Sequence, residues 1–492
     1  MALSPLITRR RVIAAGLAAP ICAVLRAQTT TRASTIDSLR NNLAGRLILP
    51  DDPAYEAARR LPIFNPTVDK HPRMIVRCAS REDAVYAIRF AREQSLEIAV
   101  RSGGHDVLGA SVCDGVVIDL AALKTIAIDA ERRIARVDSG VRSGELQAAA
   151  QRHGLAAALG CHPGVGVAGL TLGGGLGWLL GTRGAACDNL LGADVITADG
   201  KFIRASKDEN PDLFWAIRGG GGNFGIVTSF ELQLNPVDQV FGGILVLRAD
   251  PASFLRFYRE FMRGAPDELA VEVSIIPGKQ PTIITMVCWA GGAAEGERVL
   301  KPLRSFGTAV ADWLNTVPYA GVTSRMPEAA ALISQGPSQG QPPPRGPGYN
   351  YWRGGSLPVL NDSCAGQIAA ALDEAPSGCS LGFGHYMHGQ ICRVSANATP
   401  LIRTPGELTY FFNASWSDPR RADYAMEWVK RSRAALEPFS KKGTYINYLS
   451  TDDPAAVRAS YGANYARLAE IKRRYDPANS FHRNRNIDPV SR

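Results

Sequence analysis

The chain has 492 residues, 46% of them apolar, which is enough for two domains or one large two-lobed unit with a substantial core, and rules out a disordered composition. The formal charge of +9 falls to +5 without the four arginines of residues 1–27, and the other Lys and Arg are interspersed with Asp and Glu, so a basic nucleic-acid-binding face is excluded. The nine cysteines are scattered with no C-x-x-C pair, which leaves a paired-cysteine zinc site without support and assigns no disulfide.

At the N-terminus, Arg9, Arg10 and Arg11 precede a modest apolar run over 12–25. The run is too short and too rich in Ala and Gly to span a bilayer. It resembles a twin-arginine signal over 1–27, the route that exports folded proteins, and predicts a periplasmic or secreted chain without stable membrane insertion.

Residues 35–66 read as helix and loop. A strand over 74–78 is followed by Ser80-Arg-Glu-Asp83, a capping-box pattern that starts a helix over 84–94. A second strand, 98–101, runs into the turn-rich Ser102-Gly-Gly-His105-Asp106. Further strands are predicted over 116–120, 133–137, 191–197, 202–205 and 225–234, with a helix over 143–153. Past Val237 glycine thins and the texture changes. Strands are expected over 270–276, 281–289 and 408–416, and helices over 295–303, 362–372 and 422–436. The Pro- and Gly-rich stretch 335–347 reads as a surface loop, and a final helix is expected over 460–475.

Three glycine-rich segments carry the chemistry. The first is Arg101-Ser-Gly-Gly-His-Asp-Val-Leu-Gly-Ala-Ser111, whose paired glycines let backbone N–H groups close around a diphosphate. In the second, Gly164 to Trp178, seven glycines imply a flat molecule or a phosphate lying on bare backbone. The third is Arg218-Gly-Gly-Gly-Gly-Asn-Phe-Gly225, entering a strand. None has the strand-to-helix context of a Rossmann fingerprint. His385 and His388, three apart, invite a metal reading, but no third ligand at sensible spacing accompanies them, so no metal is expected. The alternation of His385, Met387 and Gly389 with Tyr386, His388 and Gln390 predicts a pocket wall in which His385, His388 and Gln390 meet substrate. A serine hydrolase, the rival from another class, lacks a nucleophile elbow.

Together the three segments, with Cys187-Asp-Asn-Leu190 between the second and third and the endings Tyr461-Gly-Ala-Asn-Tyr-Ala-Arg-Leu468 and Tyr475-Asp-Pro-Ala-Asn-Ser-Phe481, resemble the FAD-binding oxidoreductases of the berberine bridge enzyme type. The likeness covers about 60–235 and 405–488. It implies an α+β, two-lobed FAD-binding PCMH-type fold, with a flavin lobe from 50–237 plus 441–492 and an antiparallel-sheet substrate lobe from 238–440.

The resemblance also implies that FAD is bonded covalently through His105. The cradle would come from Arg101, Ser102, Gly103, Gly104, Asp106, Gly109 and Ser111 in the first loop and Gly164, Val165, Gly166, Gly169, Leu170, Gly173 and Gly174 in the second. Gly225, Ile226, Val227 and Asn447 complete it. Many relatives make a second link from a cysteine. Here Cys161 stands one residue early and His162 holds the linking position, which leaves single and double attachment open. Tyr445-Ile-Asn-Tyr448 resembles an element on a strand covering the flavin. Catalytic work would fall to Tyr445 and Tyr448, with Tyr445 and Asn447 on one face of that strand and Tyr448 on the other. The reaction so implied takes hydride from a C–H beside a hydroxyl or amine of a small molecule, with O2 as electron acceptor. A dehydrogenase using a quinone or cytochrome, or a non-catalytic flavin-binding protein, are the alternatives.

Overall fold

A computed structural model describes residues 36–63, 65–334 and 349–490. The signal expected over 1–27 and the loop over 335–347 lie outside them. Eighteen strands among the described residues form three sheets.

The first sheet holds β1 (Arg46–Ile48), β2 (Met74–Arg77), β3 (Ile98–Arg101) and β4 (Val116–Asp119) in the order β1-β2-β4-β3. β2 and β3 run parallel to β4 and β1 runs antiparallel to β2. Parallel strands need both faces covered. The helix Arg81–Glu93 covers one through Ala84, Ile88 and Ala91, and Tyr55, Ala58 and Leu61 cover the other. The predicted capping box is present. The Ser80 hydroxyl accepts from Asp83 N, and the Asp83 carboxylate accepts from the backbone N–H groups of Ser80, Ala79, Gly45 and Ala44.

The second sheet is antiparallel: β5 (Ile126–Asp129), β6 (Ile134–Asp138), β7 (Ala156–Ala157), β8 (Leu190–Ile196), β9 (Phe202–Ser206) and the long β10 (Ile226–Asn235), which pairs with β6, β7 and β8. Its core is closed by Phe214 and Trp215 and by C-terminal residues Val457, Tyr461, Leu468 and Ile487. The single helix expected over 460–475 is two, Pro454–Tyr461 and Tyr465–Tyr475, broken at Gly462 where φ is +51°. Lys472 fastens this end. Its fully buried ammonium donates to Asp476 and to the carbonyls of Asn223 and Phe481.

The third sheet is also antiparallel. It holds β11 (Gln239–Arg248), β12 (Leu269–Ile276), β13 (Thr282–Trp289), β14 (Thr308–Asp312), β15 (Asn315–Pro318), β16 (Tyr349–Leu357), β17 (Cys379–Tyr386) and β18 (Leu408–Trp416). Helices Pro251–Arg263, Ala293–Arg304, Asp362–Asp373 and Ala422–Ala435 pack on one face through Phe254, Leu300, Ile368 and Trp428. Strands β11, β14, β15, β16 and β17 were not expected from the sequence. In β11 the breakers are Gly242 and Gly243, needed because side chains there would collide with the Val287 and Trp313 carbonyls. The mixed helix and antiparallel-sheet architecture is the expected one.

Two stretches do fit G-x-S-x-G spacing, against the expectation. One, 336–340, lies outside the described residues. In the other, Gly378-Cys379-Ser380-Leu381-Gly382, Ser380 sits within β17 opposite Asn413, where no strand-to-helix elbow can form.

Candidate active site

The first two glycine segments cross. A methyl group on Gly103 would lie 2.5 Å from Gly166 N, and one on Gly166 would lie 2.6 Å from Gly103 N. Only bare backbone permits that approach. The crossing brings the His105 and His162 rings to 5.2 Å between centroids, both with an edge open to solvent. Crowding that strips water from His105, together with His162 nearby, pushes its pKa down to about 4. The imidazole is therefore neutral at working pH.

The remaining predicted cradle residues divide. Ser102 Oγ donates to Ser139 O, and Asp106 accepts from the N–H groups of Leu108 and Ala110 and from Arg485 at 3.2 Å. Gly104 packs on Pro62, and Gly109 on Val68 with its carbonyl accepting from Arg483. Arg101 is turned away: its guanidinium is buried on Asp119, 2.9 Å off across β3 and β4, so it serves the sheet rather than a ligand. Ile226 and Val227 point into two separate cores, and Gly225 backs onto Ile196 O, so only their backbone remains for contact.

The seven glycines of 164–177 need correcting most. Close packing within the protein accounts for Gly173, Gly174, Gly175 and Gly177, where a side chain would strike Asn447, Leu401 and Tyr445, Ala186, or the Leu159 carbonyl. Gly169, on the short helix Val167–Leu172, meets nothing within 4 Å. Gly164 N donates to the His162 ring, and the Val165 carbonyl accepts from Ser143 N. Bare backbone toward a ligand is thus confined to a few positions. Ser111, Ser143 and Thr171 add buried hydroxyls without hydrogen-bond partners. An open glycine and a neutral histidine on crossing stretches of bare backbone fit a flat ligand.

Residues 445–448 form a turn, not a strand. Tyr448 N and Leu449 N both donate to Tyr445 O, so the alternation of faces expected there does not apply. Tyr445 and Asn447 do meet. The Tyr445 hydroxyl accepts from Gly175 N at 2.9 Å and from Asn447 Nδ2 at 2.8 Å, and Asn447 also donates to Leu170 O. Burial moves the Tyr445 hydroxyl up to about 12, opposite to what a base requires. Tyr448 is not on a far face: its ring stands 5.2 Å from Tyr445 and stacks on His385 at 6.1 Å. Burial raises its hydroxyl pKa strongly too.

The expected pocket wall is rebuilt by a β-bulge. Phe383 pairs with Tyr410 but Tyr386 pairs with Leu408, one residue too many on β17. Phe383 and Tyr386 both face the helix-side core, and His385 is swung to the other side of the sheet. The Thr409 hydroxyl accepts from His385 N in place of the lost ladder bond. The strand ends at Tyr386, so the alternation stops there. His388 braces the turn, with Nδ1 and Nε2 at 3.0 and 3.2 Å from the carbonyls of Tyr386 and Pro266, and Gln390 accepts from Arg393.

A residue missed in the sequence lies opposite. Glu272 of β12 stands between Val271 and Val273, which face the core. Its carboxylate lies 3.6 Å from His385 Nδ1, and donor atoms of Cys161, Glu272 and His385 all fall within 4.8 Å of one another. The third donor that the His385–His388 spacing lacked is thus present in space, without His388. Burial pushes Glu272 up to about 7 and His385 down to about 3. Cys161 faces this group and the Trp178–Tyr319 core, while His162 faces His105. Glu272, His385 and His388 line a small recess with Trp178 and Tyr386.

Residues 72–206 match the FAD binding domain family, and 444–488 match the berberine and berberine-like family. (R)-6-hydroxynicotine oxidase of Paenarthrobacter nicotinovorans is 33% identical over 91% of this chain and 97% of its own. An uncharacterised FAD-linked oxidoreductase of Bacillus subtilis (strain 168) is 30% identical over 92% and 99%. The solved structure of 6-hydroxy-D-nicotine oxidase from Arthrobacter nicotinovorans superposes with a TM-score of 0.82 at 31% identity, covering 91% of this chain and 98% of that one. The chain belongs to the FAD-linked oxidoreductases of the berberine bridge enzyme-like family. It is an FAD-dependent enzyme.

Proposed function

We propose that this enzyme oxidises a small molecule at a C–H beside a hydroxyl or amine, with O2 as acceptor and with FAD joined covalently to His105. The observation that carries the reading is the crossing of two glycine loops at a neutral, open-edged His105. Neutrality matters, since a bond to the flavin 8α-methyl group needs the imidazole lone pair. His162 at the position that relatives fill with cysteine, and Cys161 turned toward Glu272, support a single link. In this reading residues 50–237 and 441–492 form the flavin lobe and 238–440 the substrate lobe.

When bound, FAD supplies the hydride acceptor. The chain does the rest. Tyr445 and Asn447 tie the Gly173–Gly175 backbone in place. His388 holds the rim of the recess against the 266 loop. The name of the hydroxynicotine oxidase relative favours an amine substrate. We read residues 1–27 as a twin-arginine signal and the mature enzyme as exported. Among the described residues no helix is long and apolar enough to cross a membrane.

A panel of alcohols and cyclic amines, screened by anaerobic bleaching of the yellow protein, tests the reaction. Peroxide release on readmitting air then separates O2 from a quinone or cytochrome acceptor. A protein that no panel member bleaches counts against the reading.

A further inference from the structure

We propose that Glu272 is the proton acceptor of the oxidation, held at the substrate cavity by His385 and Cys161. The assignment rests on the oxidase reading above and names the group that completes it.

Three independent features of the fold converge on this carboxylate. On β12, Val271, Val273 and Ile275 point to the helix-side core, which leaves Glu272 on the face turned toward the glycine loops. The β17 bulge then delivers His385 to the same side, 3.6 Å from the carboxylate. A strand without that extra residue would send His385 into the core with Phe383. Finally, Cys161 reaches Glu272 from the second glycine loop, and Tyr448 reaches His385 from the 445–448 turn. Glu272 is therefore the acid that joins loop, turn and sheet at the cavity.

Its surroundings suit a base. The titratable groups facing it are Cys161, His385 and Tyr448, which are neutral near pH 7, with Tyr386 and His388 further along the same recess. Among the described residues no lysine or arginine pairs with it. Deprived of water and of a countercharge, the carboxylate gains a proton readily at neutral pH, as a general base must. The tyrosines do not compete, since burial raises both hydroxyls.

In a substrate H–C–X–H, with X oxygen or uncharged nitrogen, the X–H proton moves to a Glu272 oxygen as C=X forms, and the departing C–H hydride carries two electrons that bound FAD would accept. Glu272 then releases its proton to solvent through the cavity. His385 stays neutral and acts as a positioning residue.

The test uses the flavin-loaded enzyme and has two arms. In the first, infrared difference spectra across pH should show a protonated-carboxyl band that titrates near neutrality, vanishes in Glu272→Gln and persists in Glu272→Asp. In the second, the anaerobic bleaching rate with an alcohol or amine from the screen should rise with pH through that same inflection. Glu272→Gln should lower the rate by about 10²–10⁴-fold and flatten the profile, with the pigment still attached. His385→Gln should shift the inflection but keep it.

Bleaching of Glu272→Gln at the wild-type rate with an unchanged profile overturns the assignment and leaves the oxidase reading standing. Wild-type protein that no alcohol or amine bleaches removes both. Stoichiometric divalent metal in the purified holoenzyme, lost in Cys161→Ser, would make the three donors a metal site and also overturn it.

Discussion

The imidazoles of His105 and His162 face each other 5.2 Å apart where two glycine loops cross, while Cys161, the neighbour of His162, faces the opposite way into the third sheet. One peptide step thus separates a residue turned toward the proposed attachment histidine from one turned toward Glu272. Peptide mapping should find flavin on the His105 peptide and none on Cys161. His105→Ala should release all pigment on acid precipitation, and Cys161→Ser should release none. His162→Cys, which places a thiol beside His105, should gain a second link.

Tyr445→Phe keeps the ring against Leu401 and Gly174 but leaves the buried Gly175 N–H unpaired. The cost should be about 1–3 kcal/mol of stability. The bleaching rate should fall modestly and its pH inflection should stay where it is. Loss of that inflection would make Tyr445 the base instead.

Glu272 also predicts a pH dependence of folding. Its folded value, about 7, lies above the ordinary carboxyl value of 4.5, so between the two the folded chain holds a proton that the unfolded chain has shed. Stability therefore falls as pH rises through that window and levels off above it, by up to roughly 3 kcal/mol. Glu272→Gln escapes the loss. Its melting temperature should match the wild type near pH 4 and exceed it at about pH 8.

His388→Ala should behave as a loss of bracing. With both ring nitrogens against carbonyls, its removal should cost about 1–2 kcal/mol in denaturant melts and leave KM within about twofold. A KM raised by an order of magnitude would restore the substrate role suggested by the sequence.

Lys472→Met strands the buried Asp476 carboxylate without its cation. Chemical denaturation should show a loss of about 3–5 kcal/mol. An unchanged melt would mean that water reaches the pair.

What could be read from the chain was local. The Ser80–Asp83 cap, the glycine segments and the change of texture past Val237 all depend on neighbours in sequence, and the architecture follows them. What escaped depends on contacts made in space. Glu272 looks like one more acid on a strand until the bulge in β17 brings His385 beside it. Tyr445 and Asn447 share a face through a turn rather than a pleat. Four of the seven glycines of the second segment are there for Asn447, Leu401, Ala186 and Leu159, partners that no spacing rule could supply. The signal available in hindsight was Val-Glu-Val within a strand, since a carboxylate between two core residues needs a reason to be there.

Arg485 has a consequence for biosynthesis. Seven residues before the end of the chain, it grips Asp106 in the first glycine loop and the Leu449 carbonyl behind the Tyr445 turn. The loop that carries His105 is therefore fastened by a residue translated 379 positions after Asp106. A nascent chain lacks that fastening until Arg485 has been made, and a chain truncated before it should emerge colourless however well its first sheet folds.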